Sequence, residues 1–177
     1  MDLEKLKYPI GKYQPPETLD AETMKSWIRE IRELPLKVKT RIAGLSDEEL
    51  SLRYRPEGWN IKQLVHHLSD SHINALVRVK WVLTEDAPTI KPYYEARWAE
   101  LPDSVQLHPA ISLNLLEAVH YKLVYLISEM TTEDWERKFY HPEYEGALEI
   151  GKYMGLYAWH GNHHLAHINQ ALEMKFS

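Results

Sequence analysis

Residues 159–168 read Trp159-His160-Gly161-Asn162-His163-His164-Leu165-Ala166-His167-Ile168, which places four of the chain's ten histidines within eight positions. At 100° per residue on a helix, with His160 at zero, His163, His164 and His167 fall near 300°, 40° and 340°, so all four share an arc of roughly 100°. Imidazole is the commonest protein metal ligand near neutral pH, and an i, i+4 pair can converge two ring nitrogens on one ion. Two such pairs occur here, His160/His164 and His163/His167, and spacing does not choose between them. Histidines also cap, hydrogen-bond and line polar seams, but four in one arc point to a metal.

A catalytic ion usually takes three protein ligands and keeps a position open, so a third ligand must come from elsewhere. The best source is Val65-His66-His67-Leu68-Ser69-Asp70-Ser71-His72. It follows Trp59-Asn60-Ile61-Lys62-Gln63, where Asn60 is placed to cap a helix and Gln63 to complete a capping box. Apolar residues then recur at helical spacing through Leu64, Leu68, Leu76, Val79 and Leu83. His67 borders that stripe, whereas His66 points further round. A buried histidine bonded to a backbone carbonyl is the plainer reading of His67 alone; the two segments together predict a three-histidine site between two packed helices.

The elements that must position these residues are helices. Asp20 reads as the cap of a first long helix with Trp27, Ile28, Ile31, Leu34, Val38 and Ile42 on one face and Pro35 placed to kink or restart it. Ser46-Asp47-Glu48-Glu49 reads as a capping box. The second long helix runs from about Asn60 to Thr84, a third starts near Pro109 and carries Leu115, Val119, Leu123, Leu126, Ile127 and Met130, and the histidine-rich helix is the fourth. Thr131-Thr132-Glu133-Asp134-Trp135 echoes the earlier capped turn, so residues 20–84 and 109–175 repeat one plan. A four-helix bundle is the simplest way to bury four such stripes, and metal sites in bundles are built from facing helices. Between the second and third helices, Glu85 to His108 forms a loop rich in Pro and aromatics, with Tyr93, Tyr94 and Trp98. A loop of that length tends to be functional or to hold a short helix.

Composition sets the frame. At 177 residues, 44% of them apolar, the chain fits one domain, read as an extended Pro-containing arm over 1–19 and a helical bundle over 20–177. A mean hydropathy of −0.48 suits a globular protein. The apolar runs are too short for a membrane span, and the first residues lack the apolar core of a signal peptide, so the cytoplasm is expected and a membrane is not. Cysteine is absent, which removes disulfides, thiolate nucleophiles and zinc-finger clusters. A net charge of −5 with scattered Lys and Arg argues against nucleic acid.

At this point the chain resembles a family, the DinB superfamily, and most closely its YfiT-like members, metal-dependent hydrolases related to bacillithiol S-transferases. The likeness spans nearly the whole chain and rests on Tyr8-Pro9-Ile10-Gly11-Lys12-Tyr13, Gly58-Trp59 through His72, Arg78 to Pro92, Phe139-Tyr140-His141-Pro142, and Tyr157 through Ile168. The resemblance implies one divalent ion, zinc or nickel, held by His67, His160 and His164, and it implies a cytoplasmic homodimer with the DinB/YfiT-like all-α bundle.

Other residues are open to more than one reading. His163 and Asp70 are the candidates for catalytic groups; Asp70, one turn beyond His67, is placed to accept a histidine's other N–H, or else is solvated. Trp59 is placed to wall a pocket or to join the core. Glu117 and His120 form the Glu-x-x-His unit of di-iron bundles, but no second unit accompanies them, and such sites need two. Three neutral imidazoles would leave an ion its full charge and an open position, so a bound water could ionise near neutral pH and attack a small-molecule substrate. That is the hydrolase reading. A low-molecular-weight thiol in the same position gives the S-transferase reading suggested by the relatives. A non-catalytic, metal-stabilised scaffold is disfavoured, because structural sites are usually closed by four ligands, and it gains weight if a fourth protein ligand, such as His163, completes the shell.

Overall fold

The computed structural model describes residues 2–176. A short helix α1 (Leu3–Lys7) is followed by α2 (Ala21–Ile42), α3 (Asp47–Leu50), α4 (Ile61–Thr84), α5 (Glu95–Trp98), α6 (Pro102–Gln106), α7 (Ala110–Ser128), α8 (Thr132–Glu136), the hairpin β1 (Lys138–Tyr140) and β2 (Ala147–Glu149), and α9 (Ile150–Met174). The helix starts follow local chemistry. Asp20 accepts from the Thr23 N–H, and reciprocal capping boxes close Ser46 with Glu49, Asn60 with Gln63 and Thr131 with Asp134. The capped turns α3 and α8 occupy equivalent places after long helices, as the internal echo suggests.

α2, α4, α7 and α9 form the four-helix bundle. α2 packs on α7 and α9, and α4 packs on the same two, so the helices that follow one another across the α3 and α8 turns sit diagonally. α4 and α9, the two histidine helices, are neighbours. By length and composition α7 is apolar enough to cross a membrane, yet it is a bundle helix with Leu116, Leu123 and Ile127 in the core.

The core divides into two apolar clusters. One joins Ile31, Val79, Val82, Leu123, Ile127, Phe139 and Met154; the other joins Leu34, Val38, Leu64, Leu68, Leu116 and Ile168. Each long helix crosses from one cluster to the other, and His72 on α4, His120 on α7 and His160 to His167 on α9 lie at the crossing. The histidines therefore form a polar layer across the waist of the bundle. At Gly161 a Cβ would run into the Leu34 side chain, so glycine lets α2 approach α9 beside that layer.

Local details depart from the sequence pattern at three places. The arm is not wholly extended: Asp2 caps α1, which buries Leu6. Side chains of α9 then staple the arm down, with Gln170 Nε2 donating to the Leu6 carbonyl and Trp159 Nε1 to that of Gly11. The two-stranded hairpin is an addition to the all-α plan, formed because Phe139 plugs the core between exposed neighbours. Pro35 does not restart α2, which runs through it from Ala21 to Ile42. Proline lacks an N–H, so the carbonyl four residues back, that of Ile31, loses its helical partner. It finds another on α7.

Candidate metal centre

His160 Nε2 lies 3.1 Å from His67 Nε2 and 3.1 Å from His164 Nε2. The three candidate ligand atoms are all within 4.8 Å of one another. α4 supplies His67, and α9 supplies His160 and His164 one turn apart. His66 takes no part: its Nε2–H donates to the Leu107 carbonyl at 3.2 Å and its Nδ1 accepts from Ser112 at 2.7 Å.

The far nitrogens fix the protons on the near ones. The carbonyl of Ile31 accepts only, so His120 donates to it from Nδ1. A neutral His120 then has a bare Nε2, which accepts from His72 Nδ1–H at 2.8 Å. His72 Nε2 in turn accepts from His160 Nδ1–H at 3.4 Å, leaving His160 Nε2 a lone pair. A second relay does the same for His164. The Lys7 carbonyl accepts from His167 Nε2–H at 3.1 Å, and His167 Nδ1 faces His164 Nδ1 at 3.3 Å, so the proton between them belongs to His164.

Burial keeps these rings neutral. It pushes His67 and His120 down to about 4 and His167 to about 3, and it holds His72, His160 and His164 well below the ordinary histidine value. Two lone pairs, on His160 and His164, thus face each other at 3.1 Å with no proton between them. That contact is repulsive unless a cation lies against it. Around an ion with bonds of about 2.1 Å, neighbouring nitrogens stand ~3.4 Å apart in a tetrahedron and ~3.0 Å apart at right angles. The observed spacing lies between the two, so the donor set fits a divalent ion of either geometry.

A second group, His163, His164 and His167, is equally compact. His167 has one nitrogen on the Lys7 carbonyl and the other on His164, so this group lacks three free lone pairs. His163 stacks on Trp159 at 4.4 Å and 18°, is held neutral at about 4 by burial, and has a buried Nδ1 with no partner.

A cavity of about 500 Å³ opens on the three histidines, within the range of small-molecule sites. Trp59 packs on His67 at 4.7 Å between ring centres and forms part of the wall. The arm adds Lys7 and Tyr8, which no pattern along the chain marks as site residues. From the long loop only Pro92, Tyr93 and Glu95 reach the cavity. Tyr94 is exposed and Trp98 packs on Tyr93 outside it, because α5 turns them away. Asp70 does not line the cavity; its carboxyl is raised to about 6 by burial and then by Asp103, and among the described residues it bonds no histidine. Glu117 lies on a separate surface groove on the outer side of α7.

His72, Arg78, Tyr153 and Tyr157 went unremarked as site residues, although spacing carries a signal for each. His67, Ser71 and Arg78 stand at i, i+4 and i+11 on one face of α4. Tyr153, Tyr157, His160, His164 and His167 follow a 4-3-4-3 spacing along α9. His72 lies between Leu68 and Ala75 on the buried stripe.

A helical bundle with a neutral three-histidine centre in an open cavity defines a class of metal-binding bundle proteins. Residues 30–168 match the DinB superfamily, and the chain belongs to it. A protein of Oceanobacillus iheyensis is 46% identical over 169 residues, 96% of this chain and 97% of its own length. YfiT of Bacillus subtilis is 41% identical over 165 residues, 93% of each chain. Both are provisionally named as metal-dependent hydrolases. The solved structure of YfiT, described as having an unusual four-helix bundle topology, matches with a TM-score of 0.93 at 40% identity, over 98% of this chain and 99% of that one.

Proposed function

We propose that the protein is a metal-dependent hydrolase in which His67, His160 and His164 hold one divalent ion, zinc or nickel. The observation that carries this reading is the unprotonated His160–His164 contact beside His67 Nε2. A divalent ion held by three neutral imidazoles supplies Lewis acidity at an open coordination position, where a water's pKa falls toward neutrality. The relays through His72 and His167 hold the ligand rings in one tautomer and one orientation. Trp59 and Tyr8 narrow the approach of bulk water. His163, which lines the cavity, is the group we assign to proton handling in preference to Asp70, which lies off the cavity. Its low pKa keeps it neutral at pH 7, as an acceptor. We place the protein in the cytoplasm as a homodimer acting on a small molecule.

The test is metal content and turnover together. Purified protein should bind one zinc or nickel ion per chain, and His67→Ala, His160→Ala and His164→Ala should each strip most of it while His163→Ala retains it. Hydrolysis of activated esters or amides should disappear with chelation and return with metal. Turnover that requires an added low-molecular-weight thiol, or ligand variants that keep full metal affinity, would end this reading.

A further inference from the structure

Arg78 is 4% exposed, on the same face of α4 as His67, and it lines the cavity. Its Nη1 donates to the Tyr153 hydroxyl at 2.6 Å and the Tyr157 hydroxyl at 3.2 Å, and its Nη2 donates to the Lys91 carbonyl at 3.0 Å. All three partners are neutral. None of the ion pairs among the described residues includes Arg78, and its Nε–H is buried with no partner. A guanidinium cannot escape the cost of burial by losing its proton, so a buried one without a counter-charge leaves a demand for an anion. The three bonds explain Arg78 as a tie between α4, α9 and the long loop. They do not explain the free Nε–H or the missing carboxylate.

The cation is also close to the centre. Tyr157, whose hydroxyl it holds, packs its ring edge-on against His72 at 5.1 Å and lies 6.0 Å from His160, centre to centre. One tyrosine ring therefore separates Arg78 from the ligand layer. We propose that Arg78 is the substrate-anchoring residue of this cavity and that it takes a carboxylate, so that the substrate is a small carboxylic acid whose reacting group lies at the three histidines. A carboxylate matches the planar guanidinium fork in shape and charge. Glu95 and Glu143 also line the cavity and repel the more highly charged phosphate more than a singly charged carboxylate. The proposal rests on the cavity being the substrate site, as the proposed function holds, but its test does not require turnover.

The experiment titrates metal-free and metal-loaded protein with succinate, inorganic phosphate and the neutral succinamide, following the Arg78 Nε–H resonance by NMR and the affinity by calorimetry. Succinate should shift that resonance in both forms, and succinamide should not. Arg78→Met and Arg78→Lys should weaken succinate by about 10- to 100-fold, the scale of a charged hydrogen-bonded pair, with metal stoichiometry unchanged. An unmoved Nε–H resonance, equal succinate affinity in a folded Arg78→Met, or tighter phosphate than succinate would each overturn the proposal. Should Arg78→Met fail to fold, the wild-type resonance decides. Loss of metal binding with the succinate shift intact would sink the hydrolase reading and leave this one standing.

Discussion

His72 and His120 are buried, yet they set the proton on His160. The chain of bonds begins at the Ile31 carbonyl that Pro35 leaves free and ends at the His160 lone pair. His72→Phe keeps the volume and cuts the relay, so metal affinity should drop by about 10- to 100-fold, measured by competition with a chromophoric chelator; unchanged affinity would remove the relay from the site's design. The same rings give a pH dependence. His67, His120 and His163 titrate near 4 in the fold, below the ordinary 6.5. The unfolded chain thus binds more protons between those values, and stability rises with pH there. The metal-free protein should be at full stability above pH 6.5 and lose stability steadily as pH falls toward 4. Denaturant midpoints that stay flat between pH 7 and 5 would contradict the burial of these rings.

At the scale of elements, the arm and the long loop meet the centre differently. The arm contributes backbone: its Lys7 carbonyl fixes the His167 tautomer, and through it the His164 lone pair. Deleting residues 2–13 should therefore weaken metal binding while leaving the bundle's helical circular dichroism almost intact. Equal metal affinity in the truncated protein would show that His164 needs no such support. The loop contributes one ring. Tyr93→Ala should lower turnover with metal retained, whereas Tyr94→Ala and Trp98→Ala should not. At the α2–α9 contact, Gly161→Val forces Leu34 aside, an overpacking cost of about 1–3 kcal/mol that chemical denaturation would register as a lower midpoint.

For the whole molecule, an ion held at the waist of histidines would tie metal binding to folding, since no preformed site exists in the unfolded chain. An ion present at 100 times its dissociation constant adds about 2.7 kcal/mol. For a chain of this size that is worth ~5–10 °C in melting temperature. Thermal melts with metal and with chelator should differ by that order, and coincident curves would mean that the ion is not bound by the native bundle. Leu36, Tyr121 and Tyr125 form an exposed apolar and aromatic face beside the groove between α2 and α7. If the chain is a dimer this is the face expected to be covered, and Tyr121→Glu should then shift the sedimentation coefficient toward that of a monomer.

By itself the sequence determined whatever depends on neighbours along the chain. Capping residues and 3.6-residue periodicity are local, so the four long helices, the capped turns at Ser46 and Thr131 and the shared arc of His160, His163, His164 and His167 are all legible without coordinates. The pairing of α4 with α9 was legible only as an inference that three ligands must meet. Residue spacing left His160/His164 and His163/His167 equivalent, and the resemblance to a known family chose between them. The tertiary structure distinguishes them on physical grounds: a carbonyl from the arm occupies His167, and one from α2 reaches His160 through two further histidines. No one-dimensional pattern carries those bonds, because they join residues 88, 48, 89 and 160 positions apart. Asp70 and Arg78 make the same point. Both are polar residues on a histidine-bearing helix, but the rotation of α4 against its neighbours turns Asp70 toward Asp103 and Arg78 into the cavity. Only packing decides which polar group faces the site.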